Sequence, residues 1–374
     1  MQTARLTTSE SLALDVIRVV AAALVAFGHL TQFRFSTGWP DLTYVARCAV
    51  SVFFILSGFV IRYVTCRKPA TFKHYLGDRA SRIYSITLPA FLFTLIADTI
   101  SRHVNPGFYA AAVGVFAHPL SAIAVNLIFC GQLWTHTIQP LSNGPFWSVN
   151  YEVAYYILYG CWFYLTGIKR WFWIIAISAF FGPHVLYLAP LWIVGCILHD
   201  LYQRWNAPGV SAAGPAWLTF ATLAALAAFC LKVLAIQRSG QSVSSTPMLR
   251  IAFIAGVRPP DYLFGLVWAV IFLALLFFAR QFVIKPDSPL VGALHFISEG
   301  TFPIYLLHFP LFVLIAACIP YNHANPLPKL IIFFFTLVIG ILAGHPGNIL
   351  KAKLRSLNFF SAPQTTASPQ RTES

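Results

Sequence analysis

Charge is scarce in this chain: only 10% of its 374 residues are Asp, Glu, Lys or Arg, and just 11 are acidic, against 58% hydrophobic. That balance excludes a compact water-soluble domain. The seven cysteines are scattered, several inside apolar runs (Cys130, Cys161, Cys196, Cys230, Cys318), with no CxxC pair and no even spacing. A disulfide framework and a zinc site are therefore excluded, no metal is expected, and the cysteines read as small hydrophobic residues. Neither an internal repeat nor a low-complexity core is evident, and no paired broken helices in two related halves mark a transporter. A cleavable signal peptide is not expected either. Asp15 and Arg18 interrupt the first apolar stretch and no small-x-small site follows, so it should remain as the first helix.

What the chain does have is a recurring supply of apolar runs near the length that crosses hydrocarbon, and a mean hydropathy of +0.72. They predict an all-α, polytopic membrane bundle of about ten helices, at 11–31, 44–64, 83–100, 146–166, 171–183, 185–202, 216–236, 261–283, 294–319 and 328–347. Residues 1–10 form an N-terminal cytoplasmic segment, 11–347 the membrane domain, and 348–374 a cytoplasmic, disordered tail, polar and Ser/Thr/Pro-containing beyond Phe360. Within 101–145 the apolar piece Leu120 to Leu133 is short for a span and is bracketed by prolines and glycines, so a re-entrant or interfacial helix is expected there.

A net charge of +14 would suit nucleic acid in a soluble protein. In a membrane protein the same surplus belongs to cytoplasmic loops facing anionic lipid, and no nucleic-acid partner is expected. Basic residues cluster at Arg67 to Arg82, Lys169 and Arg170, Arg280 and Lys285, and Lys351 to Arg355. All fall on one side if both termini are cytoplasmic. Arg238, Arg250 and Arg258 in the connection 237–260 run against that pattern.

Arg18 and His29 lie inside the first apolar run, SLALDVIRVVAAALVAFGHL. A cation in a span costs roughly 2.5–3.5 kcal/mol on insertion scales and is normally retained for a ligand, a pathway or a reaction. Eleven residues of helix bring the two side chains to within about 20° of one face, roughly 16 Å apart. The alternative is that Arg18 snorkels or pairs with Asp15 while His29 marks the interface. His29 is a candidate base near neutrality, whereas Arg18, which does not deprotonate, is an electrostatic or ligand-positioning group. Glu152, at about the depth expected for His29, would orient it or bind hydroxyls, the alternative being an ion pair between helices. Arg79 and Arg82 lie three apart on one helical face, with forks that suit phosphate oxygens or a plain positive anchor. Ser57 and Gly58 permit either entry of a ligand into the bundle or close helix packing. Glu299 and His308 are nine residues apart, on opposite faces, and form no obvious dyad. His199, His295 and His345 near helix ends receive no role.

Five segments in order, LDVIRVVAAALVAFGH (14–29), SVFFILSGFVI (51–61), DRASRIYS (78–85), FWSVNYEVAYY (146–156) and SEGTFPIYLLHFPLF (298–312), resemble the signature segments of the integral-membrane acyltransferase family 3. Two departures are visible: His345-Pro346 stands where the family commonly has Glu-Pro, and Ser85 where it has proline. The resemblance implies an O-acyltransferase of the plasma membrane, a bacterial inner membrane, moving an acyl group, most often acetyl from cytoplasmic acetyl-CoA, to a hydroxyl of a sugar, polysaccharide or glycoside. The partners it implies are acyl-CoA, a carbohydrate or lipid-linked sugar acceptor, and membrane lipid. It assigns His29, Glu152 and Arg18 to catalysis, Arg79, Arg82, Ser57 and Gly58 to the donor, and Trp147, Ser148, Tyr305 and His308 to substrate, with packing the alternative for the last four. The rival readings are a transporter or flippase of a lipid-linked sugar and a non-catalytic membrane sensor.

Overall fold

The computed structural model describes residues 4–67, 70–116, 118–206 and 259–357, together with positions 221 and 224. Apart from positions 221 and 224, the expected span 216–236 lies outside the described residues, as do Cys230 and the connection 237–258. The chain begins with α1 (Thr8–Leu30), α2 (Thr43–Arg67) and α3 (Phe72–Val104). Two short helices, α4 (Pro106–Ala112) and α5 (Pro119–Leu127), then lead to a hairpin of β1 (Gln132–Leu133) and β2 (His136–Thr137). A 3₁₀ turn at Gly144–Phe146 opens α6 (Trp147–Tyr164), followed by α7 (Gly167–Phe181), α8 (Pro183–Tyr187) and α9 (Ala189–Trp205). The later elements are α10 (Pro259–Ala279), α11 (Pro289–Glu299), α12 (Thr301–Cys318) and α13 (Pro326–Ser356). The all-α membrane class holds.

Local chemistry sets several of the boundaries. Thr7 and Glu10 form a capping box on α1, the Thr7 hydroxyl accepting from the Glu10 N–H and the Glu10 carboxylate from the Thr7 N–H. Proline occupies the first helical position of α4, α5, α11 and α13, where its missing N–H is not needed. Among the described residues six helices are long and apolar enough to cross a membrane: α1, α2, α3, the run Pro183–Trp205, α12 and α13. The expected ten is not reached by that measure for physical reasons. The polar tyrosines of α6, with Asn150 and Glu152, lower its hydropathy; α7 has 15 residues; α10 is apolar only over Phe264–Ala279; and the span expected at 294–319 still counts once, though it is two helices broken at Gly300. α5, with nine residues, is too short to span, as expected of that segment. α13 continues to Ser356, so the first part of the expected 348–374 tail is helix.

Glycines set the tightest crossings. A Cβ on Gly58 would lie 2.0 Å from the Trp192 carbonyl oxygen, and one on Gly195 2.0 Å from that of Ile55, so α2 and α9 meet backbone to backbone. Gly300 and Gly340 do the same for α12 and α13. Outward, Leu88, Leu92, Ile96 and Ile100 form an exposed stripe at four-residue spacing on α3, matched by Phe334, Phe335, Val338 and Leu342 on α13. Exposed apolar stripes on helices of this length are lipid-facing surface.

The two ends of the bundle differ. At one, the Leu6 N–H donates to the Tyr63 hydroxyl (3.3 Å), the Ala4 N–H to Gln203 Oε1 (2.6 Å), the Ser9 hydroxyl to the Phe282 carbonyl (2.5 Å), and Arg355 pairs with Asp78 at 3.0 Å. These contacts gather Arg67, Arg79, Arg82, Arg280 and the Lys351–Arg355 stretch at one basic end. At the opposite end Arg47 pairs with Asp261 (2.6 Å), and the buried Lys329 ammonium donates to the Ser36 hydroxyl (3.0 Å) beneath the Trp39 ring.

Candidate functional site

Two chambers run into the bundle, one towards each end, and they share Val50 and Tyr305. The chamber towards the basic end is lined by Arg18 from α1, Ser57 from α2, Arg79 and Arg82 from α3, and Ser148 and Glu152 from α6. Arg18 is also held by Asp15 one turn earlier, at 3.3 Å, and Asp15 lies 2.7 Å from His295. The pairing alternative and the lining role of Arg18 thus coexist. Arg79 is loosely paired with Asp78 at 3.9 Å, while Arg82 is exposed and forms no ion pair among the described residues.

Glu152 is fixed by its own shell. Ser57 donates to Glu152 Oε1 at 2.8 Å, Tyr156 donates to the same oxygen, and the Trp192 indole N–H donates to Ser57 Oγ at 3.2 Å. Oε2 takes no hydrogen bond among the described residues. Ser57 therefore has a polar task on the chamber wall, whereas its neighbour Gly58 does not line it. Gly58 serves the α2–α9 crossing, the packing alternative expected for it.

The second chamber is lined by His29, Arg47, Trp147 and Tyr151, by Gln132 and Thr137 of the hairpin, by Gln139, and by His184 and Tyr187 of α8. Arg47 is neutralised by Asp261, which also accepts from the Tyr187 hydroxyl at 3.3 Å. Trp147 and Tyr151 meet edge to face with ring centroids 5.1 Å apart, and Phe54 backs Tyr151. The loop carrying the glutamines is built at some conformational cost. Phe129, Trp134 and Leu141 all have left-handed φ, at 56°, 54° and 57°, a region such side chains rarely occupy. Its anchors are strong: the buried Asp98 carboxylate accepts from the Ser142 N–H (2.8 Å), the Ser142 hydroxyl (2.6 Å) and the Tyr109 hydroxyl (3.0 Å). Asn143 donates at 2.9 Å to the Leu306 carbonyl, which Pro310 four residues on cannot use.

Between the chambers, the Tyr305 hydroxyl donates to the Pro145 carbonyl (2.8 Å) and meets Ser148 Oγ at 2.6 Å. His29 does not meet Glu152. Its Nδ1 is 2.9 Å from Nε2 of His308, a fully buried ring whose Nδ1 is 3.1 Å from the Ile304 carbonyl oxygen. The contact expected between Glu152 and His29 is not made, and His308 stands against His29 rather than on the chamber wall, because α12 packs against α1 at that level.

The structure thus gathers Arg18, Ser57, Arg79, Arg82, Ser148 and Glu152 in one chamber, His29 and Trp147 in the other, and Tyr305 at their junction. Arg47 was missed although it carries the signal used for Arg18, a charge inside an expected apolar span. Gln132, Gln139 and His184 had no such signal. Lys351 also approaches the basic chamber's mouth, since Gly347 packs on Ile86 and Arg355 pairs with Asp78.

Comparison with known proteins bears on this arrangement. A curated relative, Acyltransferase MdmB of Streptomyces mycarofaciens, is 28% identical over 165 residues, covering 41% of this chain and 40% of that protein. The alignment therefore spans about two fifths of the relative's length. No solved structure matches the chain. The profile of a family described as an acyltransferase domain matches residues 11–345, a stretch that includes the lining of both chambers. On that match the chain belongs to the integral-membrane acyltransferase family 3.

Proposed function

We propose that this protein is a membrane O-acyltransferase that takes an acyl group, acetyl in the first instance, from acyl-CoA at the basic end and transfers it to a hydroxyl of a sugar or glycoside in the opposite chamber. The carrying observation is the meeting of two chambers of different chemistry at Tyr305, cations on one side and His29 with neutral polar and aromatic groups on the other. Arg79 and Arg82 suit the phosphates of the donor, whose thioester end would reach inwards past Arg18. His29 takes the proton of the acceptor hydroxyl as its oxygen attacks the thioester carbonyl. The tetrahedral intermediate then collapses, the C–S bond breaks, and the proton on His29 passes to the departing CoA thiolate. Arg18, eleven residues and roughly 16 Å along α1 from His29, is too far to touch that carbonyl oxygen and acts on the donor's route instead. Family membership and the relative's printed name support acyl transfer as the reaction class.

In the same reading the basic end is cytoplasmic, where acyl-CoA is available, and both termini lie on that side of a bacterial plasma membrane. The test is transfer per folded molecule in proteoliposomes, with acetyl-CoA as donor and methyl glycosides as acceptor probes, read as free CoA thiol. His29→Ala should lower turnover by about 10²–10⁴-fold while the protein still inserts and binds CoA. Near-normal turnover of that variant would overturn the mechanism and favour a transporter. Labelling of an engineered Cys at position 70 by an impermeant reagent outside intact cells would overturn the orientation.

A further inference from the structure

We infer that His308 is the positioning residue of the base, holding His29 in the single tautomer that leaves Nε2 free to accept a proton. The inference rests on the reading of His29 as base, but its geometric part stands alone. The Ile304 carbonyl, 3.1 Å from His308 Nδ1, has no proton to donate, so His308 Nδ1 must carry one. In the neutral ring the other nitrogen, Nε2, is then a lone-pair acceptor. It lies 2.9 Å from His29 Nδ1, so the proton of that bond belongs to His29 Nδ1. His29 Nε2 is left unprotonated, on the one residue of the pair that lines the chamber. The ring centroids are 5.1 Å apart and the planes within 9° of each other, a geometry that an N–H···N bond between ring edges accommodates. No carboxylate bonds either ring among the described residues. A backbone carbonyl and a second imidazole here do what a carboxylate does when it orients a catalytic histidine.

Chain contacts make this arrangement specific. His308 is fully buried, its ring between Phe312 and Tyr305, and Phe309 lies edge-on to His29. When His29 Nε2 takes the acceptor's proton, the positive charge is shared through the same bond: His308 Nε2 accepts from the imidazolium Nδ1–H, and no other proton need move.

The test separates this inference from the acyltransferase reading. In the full-length protein labelled with ¹⁵N-histidine, with His29 signals assigned by difference from His29→Gln, the wild type should show His29 protonated at Nδ1. His308→Leu should shift His29 to a mixture of tautomers. In the acetyl-CoA and methyl glycoside assay, His308→Leu should lower kcat about 10²-fold or more with acetyl-CoA KM unchanged. His308→Gln, whose Oε1 reaches the place of Nε2 and accepts the same bond, should recover most of the loss. An Nδ1-unprotonated His29 in the wild type would overturn the inference, as would equal turnover of the Leu and Gln variants in folded protein. Absence of transfer by the wild type, with the Nδ1–H tautomer present, would sink the acyltransferase reading and leave the His29–His308 pairing intact.

Discussion

The chamber at the basic end and the chamber opposite are walled largely by the same helices, α2, α6 and α12, yet they present different chemistry. The first offers the guanidinium groups of Arg18, Arg79 and Arg82 and the carboxylate of Glu152. The second offers Gln132, Thr137, Gln139 and His184 beside Trp147 and Tyr151, and its cation Arg47 is already satisfied by Asp261. A helix that faces both chambers changes its lining by face. Ser148 and Glu152 of α6 point to one and Trp147 and Tyr151 to the other, a division that follows from helical rotation between adjacent residues. The difference is what the proposed function asks for, a multiply charged ligand at one end of the bundle and a neutral, hydroxyl-bearing one at the other.

The comparison can be broken by substitutions whose effects cross from one chamber to the other. The largest effect is expected for the double substitution Arg79→Ala with Arg82→Ala. Loss of two charge-assisted contacts, each worth about 1.5–3 kcal/mol, should raise acetyl-CoA KM by about 10²-fold or more and leave the acceptor KM unchanged. An unchanged donor KM in normally inserted protein would reduce the pair to topological anchors. Next, Trp147→Ala should raise the acceptor KM by about tenfold, since an aromatic face lost from a sugar pocket removes both apolar area and orientation. A rise confined to the donor KM would erase the distinction between the chambers.

A smaller effect is expected for Gln132→Ala, where one neutral hydrogen bond of about 0.5–1.5 kcal/mol corresponds to a several-fold rise in acceptor KM. Thermal stability should be measured alongside, because Gln132 also accepts from Thr137 at 3.1 Å. Smallest for activity is Thr7→Ala at the cap of α1. It should cost about 1 kcal/mol of stability by leaving the Glu10 N–H uncapped and should move neither KM; a selective change in donor KM would show that the start of α1 belongs to the donor chamber.

Particular residues show where sequence reasoning reached and where it stopped. The span expected at 44–64 matches α2, because twenty or so apolar residues have few alternatives, but the same reasoning passed over Arg47 and Arg62 within it. Arg62 proves to be paired with Asp200 at 3.0 Å and laid over Trp162, a structural tie between α2, α9 and α6. Arg47 lines a chamber. Both arginines are paired with an aspartate, so the ion pair by itself does not tell a tie between helices from a chamber lining. The α3 expectation at 83–100 was short at both ends, since polar turns such as DRASR and the final Arg102 and His103 extend the helix past the apolar run.

Composition and the length of the apolar runs alone determined the membrane class, the helical architecture and the concentration of basic residues at one end, because hydrocarbon leaves a backbone little choice but to bond within its own helix. Local spacing likewise determined that Arg79 and Arg82 share a face and that Arg18 and His29 share a face of α1. Tertiary structure decided everything that depends on a second helix. It placed Glu152 with Ser57 and Tyr156 instead of His29, turned Gly58 to α9, broke the 294–319 span at Gly300, and brought His308 to His29 across 279 residues of chain. The physical reason is one of range: propensity and burial act along a segment, whereas a hydrogen bond between side chains is set by the crossing of two helices, which small residues distant in sequence permit.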